Sequence, residues 1–406
     1  MKSNQGLAVQ VLAVWVAMLG VSFYDFQPFL VGGFVTFLAL SEAQAGLIAT
    51  INMLGACAGL LLVSTRAYHW PTSRLILGAL LLIVVANVAS GFALTFETLG
   101  ACRFVGGLGE GLVLAVPVKL AARFGNPDRL FAWIMFGQSL YGVAGLAAAP
   151  YLMDAFGLRG LFFGFATLAL LTIPFFRALP DDGAPRKQSG RTVINTRMVL
   201  VFASLMILYM ATNCVWAYYE RIGVAMDISA SDIGLALAAG LFASMVGALI
   251  AAALGGRLPR SLMMYVGVGA SALSVWILYL AQDLAPYVAS VMLLFGATGF
   301  VVPFYMGELA GVARTGRLPI AGYIVILLGN MLGPAVGAAL IGDGSYSSMI
   351  LGALALALIA LVLIVAALRW APNPVTAAKP GVEPPVGRNA DAGFDADRRS
   401  PGRRRG

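Results

Sequence analysis

Ser41-Glu42-Ala43-Gln44-Ala45-Gly46-Leu47 is answered 188 residues later by Ser229-Ala230-Ser231-Asp232-Ile233-Gly234-Leu235. Each copy opens a long apolar run. The same displacement superposes Gly59 on Gly247 and Arg129-Leu130 on Arg317-Leu318, and at 189 residues Lys119-Leu120-Ala121 is answered by Glu308-Leu309-Ala310. Several coincidences at nearly one offset indicate a duplicated unit.

Outward from these landmarks the chain divides into twelve apolar runs, about the length that crosses a hydrocarbon core: 9–37, 43–65, 72–93, 97–123, 129–153, 159–178, 198–222, 231–254, 261–281, 285–311, 317–341 and 346–369. Of the 406 residues, 60% are hydrophobic and 11% charged, against about 25% charged in a soluble domain. Lipid is the solvent that suits this composition. The expected fold is an all-α membrane protein in which residues 1–177 and 198–369 form two pseudo-symmetric six-helix bundles. A charged linker at 178–197 joins them, and a Pro-, Gly- and Arg-rich tail at 370–406 reads as disordered. The first run is too long for a cleavable leader.

Arg66, Arg74, Arg123, Arg129, Arg186, Lys187, Arg191, Arg197, Arg257, Arg260, Arg314 and Arg317 fall on one side of the spans; the other carries only Arg159 and Arg221 among basic residues, with Glu42, Glu97, Asp154, Asp227, Asp232, Asp283 and Asp343. The positive-inside bias puts both termini in the cytoplasm. The net charge of +8 is scattered through short loops and the tail, which is not a nucleic-acid footprint. Cys57, Cys102 and Cys214 lack paired spacing and read as buried, inert thiols. With His69 the sole histidine, no metal site, cofactor site or nucleophile–base pair is expected, and an enzyme or sensor is the disfavoured class.

Two six-span halves joined by a charged loop resemble the major facilitator superfamily over residues 1 to about 370. Arg103-Phe104-Val105-Gly106-Gly107-Leu108-Gly109 is similar to that family's Arg-x-x-x-Gly-x-Gly pattern in span 4. The loop between spans 2 and 3, Ser64 to Arg74, lacks the family's acidic residue and glycine. Gly329-Asn330-Met331-Leu332-Gly333-Pro334-Ala335-Val336-Gly337 resembles a drug-exporter signature, but in span 11 instead of span 5; close helix packing is the plainer reading. Ser22-Phe23-Tyr24-Asp25 is similar to the aromatic-acid/proton symporter branch at Tyr24 and Asp25. The resemblance implies a monomeric inner-membrane transporter working by alternating access.

Charges inside a membrane need a partner or a function. Asp25 in span 1 and Arg103 and Glu110 in span 4 are the three such groups, and Arg103 and Glu110 are two turns apart on one helix face. Desolvation and a neighbouring guanidinium act on a carboxyl in opposite senses. The trio therefore reads as a proton-coupling cluster, or else as a static salt-bridged fastening. The 188-residue displacement carries Asp25 onto neutral Asn213, which leaves proton handling to the first half.

Tyr209, Asn213, Trp216 and Glu220 form one stripe on span 7, where Trp216 to Glu220 read alternatively as an interfacial aromatic belt. Gln138 and Tyr141 on span 5 are roughly cofacial. The expected substrate contacts are Asp25, Arg103, Gln138, Tyr141, Tyr209, Asn213 and Trp216. Asn52, Thr298 and Tyr305 are either cavity donors or helix-to-helix bonds. Arg103 favours an organic anion as solute. If Asp25 and Glu110 neutralise it, a proton-driven efflux antiporter for drugs or lipophilic cations is the alternative.

Overall fold

The computed structural model describes residues 2–65, 70–121, 127–178, 195–254, 257–312, 317–341 and 345–369. Residues 179–194 of the expected linker, the tail from 370, and Arg66, His69, Arg123, Arg314 and Asp343 lie outside them. Every regular element among the described residues is helical.

The first span is not continuous. It comprises α1 (Lys2–Leu19), α2 (Ser22–Asp25) and α3 (Gln27–Leu38), interrupted at Gly20–Val21 and at Phe26. There follow α4 (Glu42–Thr65), α5 (Thr72–Ser90), α6 (Phe96–Ala121), α7 (Pro127–Phe156) and α8 (Leu158–Thr172), which ends in a 3-10 turn, Ile173–Ala178. The seventh span is also broken, into α9 (Thr196–Trp216) and α10 (Tyr219–Ala225). Then come α11 (Ala230–Leu254), α12 (Arg260–Leu280), α13 (Leu284–Val312), α14 (Arg317–Leu340) and α15 (Ser347–Arg369). The uninterrupted helices expected over 9–37 and 198–222 are corrected accordingly. Gly20 gives one physical reason: it seats the end of α1 on α6, where a Cβ would lie 2.7 Å from Leu114 and 3.3 Å from the Glu110 carbonyl.

Among the described residues, ten helices are long and apolar enough to cross a membrane. The broken first span and the thirty-residue α7 complete twelve. The solvent is inverted, as lipid requires: Leu, Phe and Val line the outside, while Asp25, Asn52, Arg103, Glu110, Asn213 and Glu220 are buried. The face where α1 begins and α15 ends is here the terminal face, and the opposite one the distal face.

The repeated motif acquires a mechanism. In the first copy the Ser41 N–H donates to Gln44 Oε1 (3.0 Å) and the Gln44 N–H to Ser41 Oγ (3.2 Å), a reciprocal cap on α4. In the second the Asp232 N–H donates to Ser229 Oγ (3.2 Å), and that hydroxyl to Asp232 Oδ2 (2.6 Å). The motif glycines sit where the halves meet. Gly46 faces Tyr218 and the Pro334 carbonyl, and Gly234 faces the Leu146 carbonyl and Pro150. Gly59 and Gly247, by contrast, admit backbone of their own half: Leu108 and Leu112 for Gly59, Gly296 and Phe300 for Gly247. The pairs α4/α6 and α11/α13 are correspondingly the closest-packed, while α4/α14, α7/α11 and α3/α10 join the halves.

Among the described residues three large apolar cores result, beside a small cluster of Ala211, Ala272 and Ala357 in the second half. The distal core mixes residues of both halves, among them Phe23, Phe34, Leu146, Trp216, Tyr218 and Leu237. Toward the terminal face there are two, one drawn from the first half only (Val16, Leu80, Val113) and one from the second (Leu205, Val268, Val301). The halves are thus sealed together distally and packed separately below.

Candidate functional site

α2 ends at Asp25, so the break in span 1 places that carboxyl at the junction of the halves. Asp25 is buried, and its Oδ2 has no hydrogen-bond partner. It lies beside Gly142 of α7, where a Cβ would stand 3.1 Å from Oδ2 and 2.5 Å from Leu241 of α11. The preceding carbonyl, Tyr24, accepts from Trp216 Nε1 at 3.0 Å, a bond between the halves. Tyr209 of α9 lies in the neighbourhood of Tyr24. Tyr141 Oη is 3.0 Å from Ser22 Oγ, and its ring lies 5.7 Å from that of Phe26. Asp25, Tyr141, Tyr209 and Trp216 therefore converge on the broken segment.

Glu110 faces the other side of that segment. Its Oε2 accepts from Asn52 Nδ2 at 2.8 Å, and the carboxylate also lies near the backbone N–H of Phe23. That N–H lies in the first turn after the Gly20–Val21 break, where a helix has no carbonyl of its own to offer. Arg103 is fully buried within the first half. Its Nε donates to Ser90 Oγ (2.9 Å), and its guanidinium lies 4.9 Å from the Phe162 ring centroid and 5.9 Å from that of Phe23. Nη1 and Nη2 have no partner. Arg103 and Glu110 interact through space, but among the described residues no ion pair joins Arg103 to Glu110 or Asp25. The salt-bridged fastening is not what the trio forms.

Gln138 and Asn213 are engaged with neighbouring helices. Gln138 Nε2 donates to the Ala17 carbonyl (3.0 Å) in the last turn of α1. Asn213 Nδ2 donates to the Asn330 carbonyl (2.9 Å), while its Oδ1 is unpartnered. Thr298 bonds carbonyls of its own helix, and Tyr305 bonds Ser204 at 2.6 Å. The glycines of the span-11 signature admit α9: Gly333 meets Asn213 and Gly337 meets Tyr218. The aromatic-belt alternative for Trp216 to Glu220 is overturned, because Trp216, Tyr218 and Tyr219 are fully buried in the distal core. Of the cysteines only Cys214 is buried; Cys57 and Cys102 are half-buried.

Sequence reading missed the distal latch. Glu42 Oε1 accepts from Arg221 Nε (3.1 Å) and Tyr346 Oη (2.6 Å), and the Glu42 carbonyl accepts from Tyr218 Oη (3.2 Å). Its three anchors, at 42, 218–221 and 346, are far apart in sequence and look like ordinary loop charges until the chain is folded. Glu308 pairs with Arg197 (2.5 Å) and Arg260 (3.5 Å) near the terminal face. A cavity of about 210 Å³ lies in the distal part of the first half, lined by Phe37, Ser90, Leu94, Arg159 and Phe162 among others; none of the expected site residues lines it. Among the described residues no three His, Cys, Asp or Glu side chains gather as a metal would need.

The arrangement holds an unpartnered carboxyl oxygen at the seam of two halves and an unpaired guanidinium in one of them, with aromatic groups between. It suits a proton and a small polar solute. The Major Facilitator Superfamily profile matches residues 11–306 and, overlapping, 201–401. The chain is 23% identical over 357 residues to the MFS-type transporter YfhI of Bacillus subtilis, covering 84% of this chain and 89% of that one. It is 24% identical over 384 residues to the inner membrane transport protein YdhP of Escherichia coli, covering 90% and 98%. The crystal structure of a D-xylose-proton symporter matches with a TM-score of 0.75 at 14% identity, covering 90% of this chain and 98% of that one, a likeness of fold alone.

Proposed function

The chain belongs to the Major Facilitator Superfamily and is a multi-pass membrane transporter, and from that premise we propose that it moves a small organic anion together with protons. One observation carries this reading. Asp25 keeps a buried oxygen without a partner, and Arg103 keeps two guanidinium nitrogens without one, with no ion pair between them. A guanidinium not already neutralised is free to hold a carboxylate, and a carboxyl at the seam is placed to exchange a proton as the halves move.

In this reading Asp25, Arg103 and Glu110 couple protons. Asp25, Arg103, Tyr141, Tyr209 and Trp216 meet the solute, and Gln138 and Asn213 fix the helices that carry them. The moving units are residues 1–177 and 198–369 of a monomer in the cell inner membrane. With both termini cytoplasmic, the sealed distal face is the outer one. The Asp25→Asn and Arg103→Gln variants test the proposal in proteoliposomes given an inward proton gradient and a panel of aromatic and aliphatic carboxylates. Gradient-driven uptake by the parent, lost in both variants, is expected. Full uptake in both, or gradient-driven exit of lipophilic cations instead, would count against it.

A further inference from the structure

Glu220 is a second buried carboxyl on the seam, and the site above has no use for it. It sits in the first turn of α10, just past the break at Ala217–Tyr218, with 9% of its surface exposed. Its carboxyl lies against the backbone of Gly32 in α3, in the opposite half. A Cβ on Gly32 would overlap Oε2 and lie 2.8 Å from Oε1. Oε2 has no hydrogen-bond partner, and among the described residues Glu220 forms no ion pair.

The charged and titratable groups facing it are Arg221 on its own helix, Glu42 of α4 and Tyr287 of α13. Their hydrogen bonds go elsewhere: Arg221 Nε to Glu42 Oε1 (3.1 Å), and Tyr287 Oη to the Tyr219 carbonyl (2.9 Å). An ionised carboxylate shut in this setting has lost water without gaining a donor on Oε2, which is costly. One added proton removes the charge. Gly32 and Glu220 belong to different halves, so parting the distal face returns the carboxyl to water.

We propose that Glu220 is a further proton-binding group of this transporter, beside Asp25 and Glu110, filled as the distal face closes over Gly32 and emptied as it opens. The step is a carboxylate taking one proton from the distal solution to give the neutral acid. The proposal rests on the alternating-access reading above and adds a proton site in the second half.

The test measures closure without transport. Nitroxide labels at Leu94→Cys and Ala230→Cys, exposed positions at the distal ends of the two halves, report the distal gap by electron–electron resonance in nanodiscs. Cys57 and Cys102 are replaced by serine in this background. The closed-to-open ratio should fall as pH rises, by up to about tenfold per pH unit for one linked proton. Glu220→Gln, a neutral mimic of the acid, should stay closed at every pH. Gly32→Ala, which displaces the carboxyl, should favour the open form and flatten the response; it serves if Glu220→Gln does not fold. A parent ratio that ignores pH, or a Glu220→Gln ratio that follows pH as the parent does, overturns the proposal. A pH-driven gap in a parent that shows no gradient-driven uptake retains this inference and removes the preceding one. Uptake lost in Asp25→Asn, with the Glu220→Gln gap still following pH, does the reverse.

Discussion

Gly46 and Gly59 stand on the same helix, and single alanine replacements should fail in different ways. Alanine is better than glycine in a helix by about 0.8–1.0 kcal/mol. That gain is common to the distal-closed and distal-open forms, because α4 is helical in both, so it cancels from the gating equilibrium. At position 46 the new methyl would overlap Tyr218 Oη and lie 3.1 Å from the Pro334 carbonyl, both in the other half. Overpacking of this kind costs about 1–3 kcal/mol, and opening the distal face relieves it. Gly46→Ala should therefore shift the closed-to-open ratio toward open by about 5–150-fold. At position 59 the methyl would overlap the Leu108 carbonyl and lie 2.9 Å from the Leu112 nitrogen, in the same half. Both forms then carry the cost. After the helix gain is subtracted, folding is destabilised by about 0–2 kcal/mol and the gate is unmoved. Gly234→Ala and Gly247→Ala should repeat the contrast. Label distances across the distal face and thermal unfolding in detergent separate the two effects. If Gly46→Ala lowers the unfolding midpoint as Gly59→Ala does and leaves the distances unchanged, the division of labour between these glycines is wrong.

Glu42→Ala removes the acceptor shared by Arg221 and Tyr346; because the Arg221 and Glu42 side chains are 18% and 20% exposed, about 1 kcal/mol and a several-fold shift toward the open form are expected, shrinking in high salt, and a salt-independent shift would contradict the ion-pair origin. Gln138→Leu strips a donor from the Ala17 carbonyl, so unfolding should come about 1 kcal/mol sooner with KM for uptake unchanged; a raised KM would return Gln138 to the solute. Arg197→Ala leaves Glu308, 12% exposed, with Arg260 alone, and should cost about 1–3 kcal/mol in thermal unfolding, whereas Arg260→Ala, 48% exposed, should cost under about 1; equal losses would refute the ranking.

The fold was legible because lipid makes composition informative: a run of apolar residues long enough to cross can do little else. The repeat was legible because Ser41 and Ser229 cap helices and Gly46 and Gly234 admit the other half, so the same local needs recur at one offset. The breaks in spans 1 and 7 were not, since Gly20-Val21 and Ala217-Tyr218 are unremarkable in apolar runs; it is contact with α6 and the distal core that holds them out of register. The candidate site divides the same way. Asp25 and Glu110 betrayed themselves as charges in apolar surroundings. Arg103 stood out in the same way, yet helix periodicity could not foretell that Ser90 and Phe162 would receive its guanidinium. Glu220, a few residues from a span's end, looked like an interfacial charge, and only the tertiary fold buries it against Gly32.

The uneven division of the apolar core has a thermal consequence. One core binds the halves distally, while each half keeps a private core toward the termini. Parting the distal side wets aromatic and aliphatic surface, and that carries a positive heat-capacity change. Parting the terminal side exposes no comparable shared core. The distal-opening leg of the cycle should therefore bend on an Arrhenius plot, whereas the terminal-opening leg runs straighter, so that temperature helps to set which leg limits turnover.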